Sequence, residues 1–226
     1  MNKKSWIIFT LVTVGLLAFL MIVSKNSQNS DLSHVKEFEY QLASEQSGQI
    51  EDHVFGNKDA KVTLINYGDF QCPGCAGAHP IIKNVIEKYE DKIKFIFRNF
   101  ILSYHTNAKA ASAAAEAAGL QGKYWEMHNL IYESQTSWES LNIEDRTSFF
   151  NSLAETIGLD LDRFKVDMAD ERLVQKMTFD YNLGIKSGVK ATPSFYLNGQ
   201  PLDSEVWGDE SSLSKRIDEE LEKQSE

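Results

Sequence analysis

Cysteine is nearly absent from this chain: two among 226 residues, Cys72 and Cys75, with only two positions between them. Three readings compete for such a pair: a redox couple, half of a metal clip, or a small structural staple. A zinc clip needs four ligands, and one Cys-x-x-Cys with scattered histidines is a poor set. A staple closing so short a loop removes little chain entropy. Basic residues are also in deficit. Lys3, Lys4 and Lys25 precede the first acid, Asp31, and beyond them 20 bases face 33 acids. A surface of that sign repels phosphate backbones, which excludes a nucleic-acid partner and favours solubility. Internal repeats are missing, and low complexity is confined to one alanine-rich stretch.

Long apolar runs are missing everywhere but at the N-terminus. There Trp6 to Val23, "WIIFTLVTVGLLAFLMIV", carries no charge over 18 residues and follows Lys3 and Lys4. As a helix it would reach roughly 27 Å, close to the hydrocarbon thickness of a bilayer. Its exit, "LMIVSKNS", offers no small-x-small cleavage pattern. Residues 1–23 are therefore expected to be a cytoplasmic tip and transmembrane anchor, with a cleaved signal as the alternative. The two lysines keep the tip in the cytoplasm, so the rest of the chain lies outside it, where disulfides persist. Residues 24–50 are expected to form a polar linker, with a short helical pattern at His34 to Ala43. Residues 51–226 form the folded domain.

Within that domain "KVTLINYGDF", Lys61 to Phe70, is β-branched and apolar until Gly68, as in a strand covered on both faces. Cys72 follows, and Pro73 sits where a first helical turn tolerates proline. Ile82, Ile86 and Tyr89 then mark an amphipathic helix that Pro80 interrupts. "KIKFIFRNF" is a second strand. A helical section follows at about 103–187, and "ATPSFYLNGQPL" closes the chain's β pattern with an Asn198-Gly199 hairpin turn. The fold class is α/β, a small sheet split by an inserted helical lobe. Cys72 falls at a helix N-terminus, where unpaired N–H groups and the helix dipole favour the thiolate. Cys75, one turn inside, is the more buried thiol.

The residues "GDFQCPGC", Pro80, "FRNFIL", "HTNAKAASAAAEAAG", "KYWEMHNLIYE" and "GVKATPSFYLNG" together resemble the thioredoxin superfamily. More narrowly they resemble membrane-anchored DsbA-type oxidoreductases of Gram-positive bacteria, over nearly all of residues 51–222. The resemblance implies a thioredoxin fold and a redox-active Cys72–Cys75 disulfide in place of any bound cofactor or metal. It implies a cis-proline at Pro193 beside the cysteines, with Thr192 pairing to the substrate peptide. Substrates would be reduced or unfolded secreted proteins, and the reset partner a membrane oxidase of the DsbB or VKOR type.

Two departures from the family pattern stand out. Strongly oxidising relatives often carry histidine at the position of Gly74, in the Pro73-Gly74 dipeptide. A buried acid commonly stands at the position of Asn66, six residues before Cys72, as proton acceptor for the resolving thiol. Asparagine cannot fill that role and is expected to be a hydrogen-bonded core group. Asp69 is a candidate replacement, though a solvated carboxylate orienting the turn is the plainer reading. His79 is expected to be a partly buried surface residue that could supply a cation or shuttle a proton. His105 and His128 are expected to pack or cap. A reductase or isomerase using the same dithiol, or a tethered binding module with a structural disulfide, remain alternatives.

Overall fold

The computed structural model describes Trp6, residues 9–10 and 12–16, and residues 32–224. Two compact units divide the chain, residues 1–35 and 36–226. In the first, the described residues up to Leu16 are helical, and the hydroxyls of Thr10 and Thr13 donate back to the carbonyls of Trp6 and Phe9. Among the described residues no helix is long and apolar enough to cross a membrane. Much of the Trp6 to Val23 run expected to be an anchor lies outside them.

The second unit is built on five strands: β1 (Val54–Gly56), β2 (Val62–Gly68), β3 (Ile93–Asn99), β4 (Ser194–Leu197) and β5 (Gln200–Leu202). Their order across the sheet is β1-β3-β2-β4-β5. β2 and β3 run parallel, and every other pair is antiparallel. The parallel pair is joined by α1 (Pro73–Lys88), which is the crossover that a parallel pairing requires. Pro80 lies inside α1 without ending it. Both central strands are buried almost throughout, which explains why they read as continuous apolar runs. At the β4–β5 turn Asn198 and Gly199 both take positive φ, 48° and 79°, the demand of a tight hairpin.

Between β3 and β4 lies the helical lobe: α2 (Ala108–Gly119), α3 (Tyr124–Glu133), α4 (Gln135–Trp138), α5 (Ile143–Thr156), α6 (Leu161–Asp167) and α7 (Glu171–Lys186). α2 is the alanine-rich stretch. Its small side chains let α3, α5, α6 and α7 all pack against it, and seven of its alanines are buried. Asn142, Asp160 and Asp170 cap α5, α6 and α7 by accepting from N–H groups of the first turn. α8 (Ser204–Trp207) and α9 (Glu210–Lys223) complete the chain, α9 packing on α1.

Residues 24–31 of the expected linker lie outside the described residues, and the expected helix at His34 to Ala43 does not form. Residues 36–50 run in turns against the sheet, with Ser47 and Ile50 buried. The cause is Arg98 of β3, which is fully buried. It donates to the carbonyls of Glu37 and Glu39, while Asp52 N donates to the carbonyl of Gln41. Carbonyls spent this way are lost to a helix ladder.

Arg98 also anchors a buried ion network. Its Nη2 donates to Asp52 Oδ2 at 2.7 Å, and Lys176 Nζ of α7 donates to Asp52 Oδ1 at 3.0 Å and Asp180 Oδ1 at 2.5 Å. Asn99 Nδ2 joins Asp180 to Glu116, which in turn pairs with His53 at 2.8 Å. This network ties the lobe to the sheet immediately before the β3 exit.

Candidate active site

β2 ends at Gly68, and the chain turns through Asp69, Phe70 and Gln71 into Cys72, which occupies the N-cap of α1 in an extended conformation. Pro73 takes the first helical position, where its missing N–H costs nothing. The turn is closed by Cys72 N donating to the Asp69 carbonyl at 3.0 Å. The Cys72 carbonyl accepts from the N–H groups of both Cys75 and Ala76.

The inserted lobe braces this turn. Gln135 Nε2 donates to the carbonyls of Phe70 at 2.7 Å and Cys72 at 3.0 Å. Gln71 Nε2 donates to the Glu139 carbonyl, and its Oε1 accepts from Asn107 N. Sequence reasoning missed Gln135, Gln71 and Asn107. No helical spacing signalled them: Gln135 begins α4, after the break at Ser134 that ends α3.

Both cysteines are free thiols, and both are buried, Cys72 7 % exposed and Cys75 4 %. Cys72 Sγ lies 3.4 Å from the carbonyl oxygen of Thr192, which accepts from the sulfur when it is protonated. The Thr192–Pro193 peptide bond is cis. An added Cβ on Gly74 would stand 3.4 Å from Pro193 Cδ and 3.7 Å from Cys72 Sγ, so the dipeptide and the proline loop are in contact.

The two thiols are driven apart in acidity. A hydrogen bond from Cys75, aided by Thr192 and the N–H groups of Cys75 and Gly74, outweighs burial and pulls Cys72 down to about 5. Cys75 moves the opposite way: burial first, then the bond to and charge on Cys72, push it far up. At neutral pH the pair is one thiolate and one thiol, which is what a nucleophile with a resolving partner requires.

Asn66 donates through Nδ2 to the carbonyls of Ser194 at 3.3 Å and Tyr67 at 3.4 Å, within the core. The solvated reading of Asp69 is corrected: its side chain is fully buried. Oδ1 accepts from Gln71 N, and Oδ2 from Leu102 N and the His105 ring at 2.9 Å. With those bonds it clamps the active-site turn to the loop after β3, so its oxygens are already engaged. His79 is corrected too. It is buried against Tyr132 and His128 instead of lying at the surface, and burial pushes its ring down to about 4, so it supplies no cation at neutral pH. His128 is likewise buried and pushed down to about 3. Among the described residues no cluster of three or more His, Cys, Asp or Glu could hold a metal.

An open apolar groove of about 660 Å³ runs beside the proline loop, lined by Phe100, Leu102, Tyr104, Met177, Tyr181 and Val189. Lys109 and Lys190 stand at its edge.

The thioredoxin family model matches residues 48–219. Among solved structures, oxidised BdbD from Bacillus subtilis is similar at TM-score 0.66 and 22 % identity, covering 83 % of this chain and 100 % of that one. The thiol-disulfide exchange protein alpha-DsbA2 from Wolbachia pipientis is similar at TM-score 0.66 and 21 % identity, covering 87 % and 97 %. Among curated proteins, the Na(+)/H(+) antiporter NhaA 1 of Salinispora arenicola is 38 % identical over 150 residues, 66 % of this chain and 22 % of that protein. The chain thus spans about a fifth of the length of the curated relatives it matches. Its sheet order, its cysteine-headed crossover helix and the extent of the family match lead to one conclusion: this chain belongs to the thioredoxin family.

Proposed function

We propose that the protein is a thiol-disulfide oxidoreductase of the DsbA type, held at the membrane by its N-terminal segment with the catalytic domain outside the cytoplasm. It introduces disulfides into reduced secreted proteins. The observation that carries this reading is the 3.4 Å approach of Cys72 Sγ to the Thr192 carbonyl, which sets the reactive sulfur against the proline loop.

The reaction follows from that placement. With the Cys72–Cys75 disulfide formed, a substrate thiolate attacks Cys72 Sγ and the bond breaks, its electron pair leaving on Cys75, which takes up a proton. A second substrate thiolate then attacks the substrate sulfur bound to Cys72 and releases the Cys72 thiolate. Two electrons pass from the substrate to the pair, and a membrane oxidase of the DsbB or VKOR type removes them. An extended substrate segment pairs with the Thr192 backbone, and the adjoining groove suits apolar side chains of unfolded chain.

The low pKa of Cys72 favours the oxidising direction, because a stabilised thiolate stabilises the reduced form. The deciding measurement is the equilibrium of the pair with glutathione. A potential above that of the glutathione pool supports an oxidase; one far below it replaces the oxidase by a reductase. The same titration on Gly74→His gives a signed check. The space at Gly74 admits a side chain, and an imidazolium beside the Cys72 thiolate stabilises the reduced form. The potential is expected to rise, becoming more oxidising by about 30 mV or more.

A further inference from the structure

Behind Cys75 lies a small, partly open cavity of about 20 Å³, walled by Asn66, Cys75, His79, His128, Tyr132 and Pro193 among others. Three of these residues each bury a polar atom that has no hydrogen-bond partner: His79 Nε2, His128 Nε2 and Tyr132 Oη. Each residue is more than nine-tenths buried. Their rings are mutual neighbours, with centroids 5.5 Å apart for His79–His128 and 5.1 Å for each histidine with Tyr132. An unpartnered buried polar atom is costly, and three around one cavity call for a common partner. The volume suits one water, which needs roughly 10–15 Å³ and two to four polar neighbours.

The hydrogen-bonding roles are complementary. His128 Nδ1 faces Asn129 Oδ1 at 3.1 Å and so carries the proton, leaving Nε2 as an acceptor. Tyr132 keeps its proton because burial, and then the charges of Cys75, Asp69 and Cys72 beside it, push its phenol far up. A water can accept from Tyr132, donate to His128, and bond to His79. His79 Nε2 also lies 3.9 Å from Glu133 Oε1, too long for a hydrogen bond but adjacent to solvent. Glu133 is half-exposed and holds Lys83 at 2.8 Å.

We propose that this cavity is a one-water site through which Cys75 exchanges its proton, with His79 as the positioning residue that links the water to solvent at Glu133. This rests on the reading of Cys72 and Cys75 as a redox pair. When Cys75 leaves the disulfide as a thiolate, the water donates a proton to it and takes another from solvent on the Glu133 side, held in place by His79 Nε2. In the reverse step, the Cys75 thiol loses its proton along the same path as its sulfur attacks Cys72. Asn66, on the same wall, cannot take that proton. The titratable groups facing the route are Cys72 and Lys83 from α1, and His128, Tyr132 and Glu133 from α3. From the strand side come the amide of Asn66 and the Asp69 backbone N–H, and from the β4 side Pro193 and Phe195.

The test uses the reduced protein and Ellman's disulfide as probe. The thiolate of Cys72 forms a mixed disulfide, and attack by Cys75 then releases the second coloured thiolate. His79→Phe is expected to slow that second release about tenfold or more at neutral pH. The deficit should close as rising pH lets hydroxide take the proton, while alkylation of Cys72 stays at the wild-type rate. His79→Gln, which keeps a hydrogen bond to the water, should retain both the water and most of the second-release rate. On the wild type alone, a high-resolution crystal structure of the reduced protein should show one water bonded to Tyr132 and the two histidines. A dry cavity overturns the proposal, and so does second release at the wild-type rate in His79→Phe at every pH. If the wild type forms no mixed disulfide at Cys72 at all, it is the redox reading that fails.

Discussion

Replacing Cys72 by serine is expected to abolish disulfide transfer to reduced substrate, a fall on the order of a thousandfold or more. A hydroxyl beside Thr192 is protonated at any physiological pH and is no leaving group for sulfur. Cys75→Ala is expected to behave differently. Its Cys72 still attacks a substrate disulfide, but no resolving thiol remains, so the mixed disulfide accumulates and can be seen on a non-reducing gel. The two variants also differ in acidity. In the wild type the alkylation rate of Cys72 should rise as pH climbs through about 5 and then level off. In Cys75→Ala the midpoint should move upward, because the hydrogen bond from Cys75 is the largest cause of the depression. An unchanged midpoint would leave the helix N-terminus and Thr192 as the sole sources of acidity.

The same depression couples redox state to stability. The unfolded thiol titrates near 9, the folded one near 5. The stabilisation of the reduced protein is therefore complete above the unfolded value and lost as pH falls through about 5. The disulfide form has no thiolate and no such term. Reduced and oxidised protein should accordingly differ most in melting temperature at mildly alkaline pH and converge in acid.

Asp52→Ala should produce the largest loss of stability, about 3–5 kcal/mol, or a melting temperature lower by roughly 10 °C or more. Asp52 is the only carboxylate shared by Arg98 and Lys176 in the buried network, and both of those cations are themselves fully buried. Removing it leaves Arg98 with carbonyls and the Tyr67 hydroxyl alone, and Lys176 with Asp180. Burial acts to raise the Asp52 carboxyl, but Arg98 and Lys176 outweigh it and hold it at about 2, against an ordinary value of 3.8. A carboxyl lowered on folding stabilises above its unfolded value, so this contribution is lost as pH falls from about 4 to about 2. Asp52→Ala should thus be missing that part of the acid unfolding profile. Urea titrations across that range check both the magnitude and the window. Cys72 lies outside the network, so its alkylation midpoint in the folded variant should match wild type.

Legibility in the sequence followed the range of the interactions. The strand into Cys72, the proline at the first helical position and the Asn198-Gly199 hairpin are each decided by residues within about four positions. Their side-chain types therefore carry the signal directly. The burial of Asp69 and His79 was misread for the complementary reason. Asp69 is enclosed by His105 and Leu102, more than thirty positions on, and His79 by His128 and Tyr132, about fifty positions on. The segment 36–50 looked like a tether because it is polar; it is held down by the guanidinium of Arg98, about sixty residues later.

By itself, then, the sequence determined that two cysteines head a helix behind a buried strand, and that a sheet is split by a helical lobe. Hydrophobic periodicity and turn chemistry are local and survive without the rest of the molecule. Only the tertiary structure decided which polar side chains surround those cysteines. Burial and proton affinity depend on what packs from distant parts of the chain, and an asparagine, a tyrosine or a histidine looks the same in sequence whether it faces water or a sulfur.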